Sequence, residues 1–178
     1  MDPDKILFQT PWVSIKATER GYHYLERKGR DSIAALLIRH SESTSWDYEV
    51  LVRQQPLCVD IATAAEAAAM PLFPCPITGG IEIGESPAMA AVREVEEEAG
   101  YIVQVKPLGR YIVGSQTNEI CHLFYADVTG QVPGVAAQDG SYFEAISRNE
   151  WHPLAYLETC DYAASQIGYY RLRNILST

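Results

Sequence analysis

Three glutamates, Glu94, Glu97 and Glu98, stand at i, i+3 and i+4 within the run VREVEEEAG. On a helix, at about 100° per residue, that spacing gathers their carboxylates on one face. Like charges so placed cost a helix about 0.2–0.5 kcal/mol per pair, a penalty that a cation among them removes. Oxygen-only donors suit Mg²⁺ or Mn²⁺, and Mg²⁺ commonly binds through a few carboxylates, waters and substrate phosphates. Arg93 stands beside Glu94 and four residues before Glu97, placed to pair with a carboxylate and fix its direction. A bare acidic run is most often a solvated helix face. Here a Gly-rich stretch, TGGIEIGES, directly precedes the run, Glu85 stands at the entrance, and an arginine is embedded in it.

The elements that must position these residues follow from local signals. Ser86-Pro87 reads as an N-cap followed by proline at the first helical position, and Gly100 as the C-terminal stop, so a helix is expected from Pro87 to about Ala99. Ala88, Val92, Val95 and Ala99 fall on one side of it, the expected core face, with the carboxylates on another. TGGIEIGES is expected to be a loop. Upstream, residues 10–28 read as two short strands around Gly21, and 31–39 and 48–54 as two more, joined by the polar loop HSESTSW. The Ala-rich stretch 61–70 reads as a short helix or ordered loop, bounded by prolines that include Pro71, Pro74 and Pro76 and exclude a regular element. Downstream, strands are expected near 101–113, at 119–128 and at YFEAIS, and a helical region at about 148–176. Strands dominate, so the fold class is α+β with helices packed on a mixed sheet.

Composition narrows the partners. The 178 residues suit one domain with terminal arms. A net charge of −9 argues against a nucleic-acid partner, which needs clustered Lys and Arg, but not against a small phosphorylated substrate held through a metal. No run approaches the length of a membrane span, and MDPDKILFQTPW lacks a basic start followed by an apolar stretch, so the expected location is the cytoplasm. Cys58, Cys75, Cys121 and Cys160 are widely separated and read as reduced thiols rather than a zinc site.

The segment Gly79–Tyr101 resembles the Nudix box, G-x5-E-x7-R-E-U-x-E-E-x-G-U with U apolar. Gly79, Glu85, Arg93-Glu94-Val95, Glu97-Glu98 and Gly100 match, and Tyr101 stands where an aliphatic residue is usual. The resemblance implies an α/β/α sandwich around a mixed sheet, and a metal-dependent pyrophosphohydrolase in which water attacks phosphorus. It implies metal ligands at Glu94, Glu97 and Glu98, with Glu85 auxiliary and Arg93 orienting the cluster. Gly79 and Gly80 would let the backbone turn tightly against helix and substrate.

Outside the box the chain is similar to the ADP-ribose pyrophosphatase and nucleotide-sugar branch, in TPWVSI, GYHYLERKG, LVRQQ, EICHLFYADV, FEAIS and DYAASQIGYYRLRNIL. That likeness implies an N-terminal β arm, residues 1–30, holding a homodimer, with a catalytic domain over 31–178. It also implies a nucleoside diphosphate derivative as substrate, and an aromatic from the arm, Trp12, stacked on the base. The chain departs from the branch in four places. No proline occurs near Gln116; Gln54-Gln55-Pro56 replaces Q-Y-R; Ile77-Thr78-Gly79 replaces P-A-G; and Ser141 stands where a downstream glutamate assists catalysis. Asp139 is the first candidate to replace that glutamate, and Glu144 the second. Two alternatives stay open: a different Nudix substrate (a dinucleoside polyphosphate, a coenzyme A derivative or a damaged nucleoside triphosphate), or a non-catalytic ligand sensor. An intact, mutually repulsive glutamate cluster argues against the sensor.

Overall fold

The computed structural model describes residues 4–41, 48–57, 71–137 and 145–177. Trp46, Cys58, the stretch 61–70, and Asp139, Ser141 and Glu144 lie outside these residues, as do most of the polar loop HSESTSW and the first half of the expected strand YFEAIS, whose described residues Ala145 and Ile146 are helical rather than strand.

β1 (Lys5–Gln9), β2 (Val13–Ala17) and β3 (His23–Arg27) form an antiparallel three-stranded sheet, with Gly21 in the left-handed region at the β2–β3 turn. The pair β2–β3 is the one expected. β1 carries no alternating pattern, and its Ile6, Leu7 and Phe8 are all exposed.

The larger sheet runs β10-β5-β4-β9-β8. Its strands are β4 (Ser32–His40), β5 (Tyr48–Pro56), β8 (Lys106–Ile112), β9 (Ile120–Asp127) and β10 (Arg148–Pro153). Two short strands join from the side: β6 (Leu72–Cys75) pairs with β5, and β7 (Ile77–Gly80) with β4. β4 and β9 are parallel and the other pairs antiparallel, so the sheet is mixed. β4 is buried on both faces and reads as one apolar run, SIAALLI. Ile33, Ala35 and Leu37 face helix α1 (Pro87–Ala99), while Ala34, Leu36 and Ile38 face helix α2 (Ala163–Leu176) and the 3-10 segment Leu154–Thr159. The result is the expected three-layer α/β/α arrangement.

Several expectations are corrected. Thr78-Gly79-Gly80 is the end of β7 rather than loop. Pro74 lies within β6, tolerated because β6 pairs on one side only. Residues 101–105 are irregular, and the strand begins at Lys106. Arg148–Pro153 is a strand and not helix, because it completes the ladder along β5.

Helix α1 spans the expected residues. The Ser86 hydroxyl accepts from the Met89 N–H at 3.2 Å, and Gly100 adopts φ 72° with its N–H donating to the Glu96 carbonyl. Its buried residues, however, are Ala90, Ala91, Val95 and Ala99, while Ala88 is exposed and Val92 half-buried. The helix is rolled so that Glu94 and Glu98 lie toward the sheet. Tyr101 packs into the α1-side core, filling the place of the aliphatic residue.

Replacing Ser86 with Ala removes the cap and is expected to lower stability by about 1 kcal/mol, whereas Ser86→Asp keeps it. Urea unfolding midpoints of the two variants check this; equal midpoints would show that the cap contributes nothing.

Candidate active site

The site is built where β7 runs into α1. Glu94 points back against Gly79, where a Cβ would stand 2.0 Å from the carboxyl carbon and from Oε1 of Glu94. Only glycine leaves room for that carboxylate. Burial is the first influence on Glu94 and raises its pKa above the ordinary value, with the neighbouring Arg93 opposing.

Arg93 ties the cluster together. Its Nε and Nη2 donate to the two oxygens of Glu85 at 3.0 and 3.1 Å. Nη1 donates to Glu94 Oε1 at 2.8 Å and to Glu97 Oε2 at 3.0 Å, and Nη2 also donates to the Gly80 carbonyl at 3.0 Å. Arg93 was expected to meet one carboxylate and instead meets three. Its bonds to Glu85, first, and to Glu94 hold the guanidinium more firmly protonated, and the same contact keeps Glu85 below the usual carboxylate range. Glu85 also accepts from the Glu82 N–H, which closes the turn before the helix. Glu97 is the most open of the four box glutamates, its side chain 43% exposed.

Glu98 faces the other way, into the fold. Its Oε1 lies 3.2 Å from Nε of Arg53 on β5; Arg53 is buried and Glu98 is largely covered. Sequence reasoning missed Arg53, although an arginine inside the apolar run VLVRQ was a signal that something charged must face it. Glu85, Glu94 and Glu97 therefore share Arg93, while Glu98 sits on a second arginine.

Among the described residues, no three His, Cys, Asp or Glu side chains stand placed to hold a metal ion. The carboxylates are turned onto the arginines instead. Their chemistry still fits a hard divalent cation, being all-oxygen and partly open to solvent at Glu97.

A cleft of about 870 Å³, lined in part by Glu85, Met89, Val92, Arg93, Glu97 and Val105, runs along the outer side of α1. It combines an apolar wall with three charged groups of the cluster, the usual make-up of a small-molecule site. Trp12, in the β1–β2 connection, is 70% exposed, and its ring contact is with Lys28, whose Nζ stands 5.2 Å from the ring centre. The departures from the expected branch pattern are engaged in the fold. Gln55 Nε2 donates to the Thr78 hydroxyl at 3.2 Å, and the Gln116 carbonyl accepts from the Leu25 N–H at 2.8 Å, pinning β3 to the domain. Cys75, Cys121 and Cys160 are free and buried; burial pushes the Cys75 thiol up to about 12, so it is inert at neutral pH.

A three-layer sandwich with a glycine-edged strand feeding a helix of arginine-bound glutamates defines a hydrolase scaffold of the Nudix type. Residues 26–171 match the NUDIX domain, and the chain belongs to that family. It is a Nudix pyrophosphohydrolase, and enzymes of the family generally use divalent metals. A solved structure described as an ADP compounds hydrolase aligns over 98% of this chain and 92% of its own, with TM-score 0.65 and 13% sequence identity. At that identity the likeness speaks for the fold. Among curated proteins none matches the chain.

The raised pKa of Glu94 fixes a sign. The folded chain holds this proton more tightly than the unfolded chain, so stability falls as pH rises from the ordinary glutamate value through the raised one. Glu94→Gln keeps an oxygen to accept from Arg93 and removes that penalty. In chelator it is expected to melt above wild type at neutral pH, with the gap closing near about pH 3, where both side chains are neutral. Thermal unfolding at the two pH values checks this; a lower melting temperature at neutral pH would show the buried charge to be net stabilising.

Proposed function

We propose that the chain hydrolyses the diphosphate of a nucleoside diphosphate linked to another moiety, ADP-ribose or a nucleotide sugar, releasing a nucleoside monophosphate. The observation that carries this reading is the ring of Glu85, Glu94 and Glu97 around Arg93 beside the Gly79 edge of β7. Glu94, Glu97 and Glu98 would hold Mg²⁺ or Mn²⁺, with Glu85 auxiliary. When bound, the divalent ion neutralises the diphosphate and lowers the pKa of an attacking water.

The chain's own residues do the rest. Arg93 keeps Glu94 and Glu97 oriented while balancing part of their charge. Gly79 and Gly80 let the backbone lie close to the phosphates. The water oxygen bonds to phosphorus, the bridging P–O bond breaks toward the departing phosphate, and a carboxylate takes the water's proton. Asp139, outside the described residues, is the proposed acceptor. Trp12 is proposed to stack on the base, a contact worth about 1–3 kcal/mol in nucleic-acid complexes; its exposed ring supports this. Pro56, which stands where the branch places an arginine, with the preceding Gln55 held by Thr78, favours a second reading in which the same machinery serves another Nudix substrate class.

The reading includes a cytoplasmic homodimer. Free thiols at Cys75, Cys121 and Cys160 suit a reducing compartment, and no helix among the described residues is long and apolar enough to cross a membrane. For the dimer, the support is the exposed apolar surface of the arm, Ile6, Leu7, Phe8, Trp12 and Ile15.

A screen of nucleoside diphosphate derivatives with Mg²⁺, reading monophosphate release, tests the substrate class; turnover confined to dinucleoside polyphosphates, coenzyme A derivatives or triphosphates would favour the second reading. Glu97→Gln or Glu98→Gln is expected to cut turnover at least about 100-fold, with folding retained in Glu97→Gln, whose side chain is the more open. Near-normal rates in both would remove the proposed metal site. Ile6→Glu combined with Phe8→Glu changes only exposed positions and is expected to yield monomers by light scattering. An unchanged dimer, or a wild-type monomer, would overturn the arm's role.

A further inference from the structure

Glu98 is held from two directions by residues outside the box. Along β5, Val50 and Val52 belong to the core under α2 and Leu51 to the core under α1, so Arg53 points toward α1. Arg53 is only 2% exposed. A guanidinium buried this far is costly unless it meets a negative charge, and Glu98 Oε1 supplies one at 3.2 Å. Asn149 on β10 stands directly opposite Arg53 in the antiparallel ladder, so the two side chains share a face of the sheet. Asn149 Nδ2 donates to the main-chain carbonyl of the same residue, Glu98, at 2.7 Å. That carbonyl lies in the last turn of α1, where helix geometry leaves acceptors without an intrahelical donor.

We propose that Arg53 and Asn149 are a cross-strand pair of positioning residues: Asn149 fixes the backbone of Glu98, and Arg53 fixes the direction of its carboxylate for metal binding. Together they join the end of the carboxylate helix to the β5–β10 ladder. The residue-specific target sets this apart from general packing, since both contacts converge on one glutamate and neither reaches its neighbours Glu96 or Glu97. The inference rests on the reading of Glu98 as a metal ligand.

The sign of one measurement separates positioning from simple charge balance. Mn²⁺ binding to the metal-free full-length chain is measured by calorimetry and electron paramagnetic resonance, with no nucleotide present. Removing a positive charge near a cation site, by itself, strengthens cation binding. Loss of a positioning contact weakens it, by about 10- to 100-fold where such partners have been removed. Arg53→Met is therefore expected to weaken Mn²⁺ binding about tenfold, and Arg53→Lys to recover part of the loss. Unchanged or tighter binding in Arg53→Met overturns the proposal.

Asn149 is exposed, so Asn149→Ala keeps the question decidable if Arg53→Met does not fold. It is expected to weaken Mn²⁺ binding in the same direction, and binding equal to wild type overturns the pair. Glu98→Gln is the control. If it leaves Mn²⁺ binding intact, the ligand reading itself fails; if it abolishes binding while Arg53→Met and Asn149→Ala do not, only the positioning inference fails.

Discussion

The structure of the site depends on one guanidinium placed among carboxylates. Arg93 donates to Glu85, Glu94 and Glu97 and to the backbone of β7 at Gly80. Each hydrogen bond to a charged group contributes more than a neutral one, and the forked geometry orients as well as attracts. With Arg93 absent, the three glutamates would repel one another and the turn at 81–86 would lose its anchor on Glu85. The spacing of the motif follows from this geometry. Gly79 must precede by enough residues to let the chain leave the sheet and return as a helix, Glu85 must sit where the turn closes, and Arg93-Glu94 must stand two turns into α1, level with the end of β7. A lysine would supply the charge without the fork that reaches Glu85 and Gly80 together.

The fold was legible where local chemistry decides. Ser86-Pro87 and Gly100 mark the ends of α1 because capping is set by the residues themselves. β4 and β9 are long apolar runs and could be read directly. β7 and β10 could not, because each is a strand only by virtue of its partner. Ile-Thr-Gly-Gly pairs with the start of β4, and the polar run Arg-Asn-Glu-Trp-His-Pro with β5. Proline in β6 was read as a break because the sequence does not reveal which side of a strand stays unpaired.

The carboxylate cluster was legible as a list of residues, and its orientation was not. Amphipathic reasoning sends charged residues outward and so assigned Ala88 and Val92 to the core. In the fold Ala90 and Ala91 face the sheet instead, and Glu94 and Glu98 come with them. Charge was tolerated there because Arg93 and Arg53 meet it, and the second of these lies about 45 positions earlier in the chain, on another strand. A helical wheel sees only its own helix. Partners contributed by distant strands are invisible to it.

A helix that turns carboxylates toward its own sheet gives up part of the apolar contact that would normally hold it. The compensation lies in β4, whose residues are buried on both faces, so the central strand is secured by α2 and the 3-10 segment as well as by α1. The two sides of the sheet thus do different work. Leu36, Ile38, Leu123, Leu157 and Leu172 form an apolar layer carrying no site glutamates. The α1 side carries the charge, and its geometry is kept by directional contacts: the Gly79–Glu94 approach, the Arg93 fork, and the Gly134 N–H donating to the Gly100 carbonyl at 2.7 Å. Such contacts fail sharply when one member is altered, whereas the apolar layer can repack. Tolerance to substitution should therefore divide by face of the sheet rather than by depth of burial, because what α1 needs is direction and what α2 needs is volume.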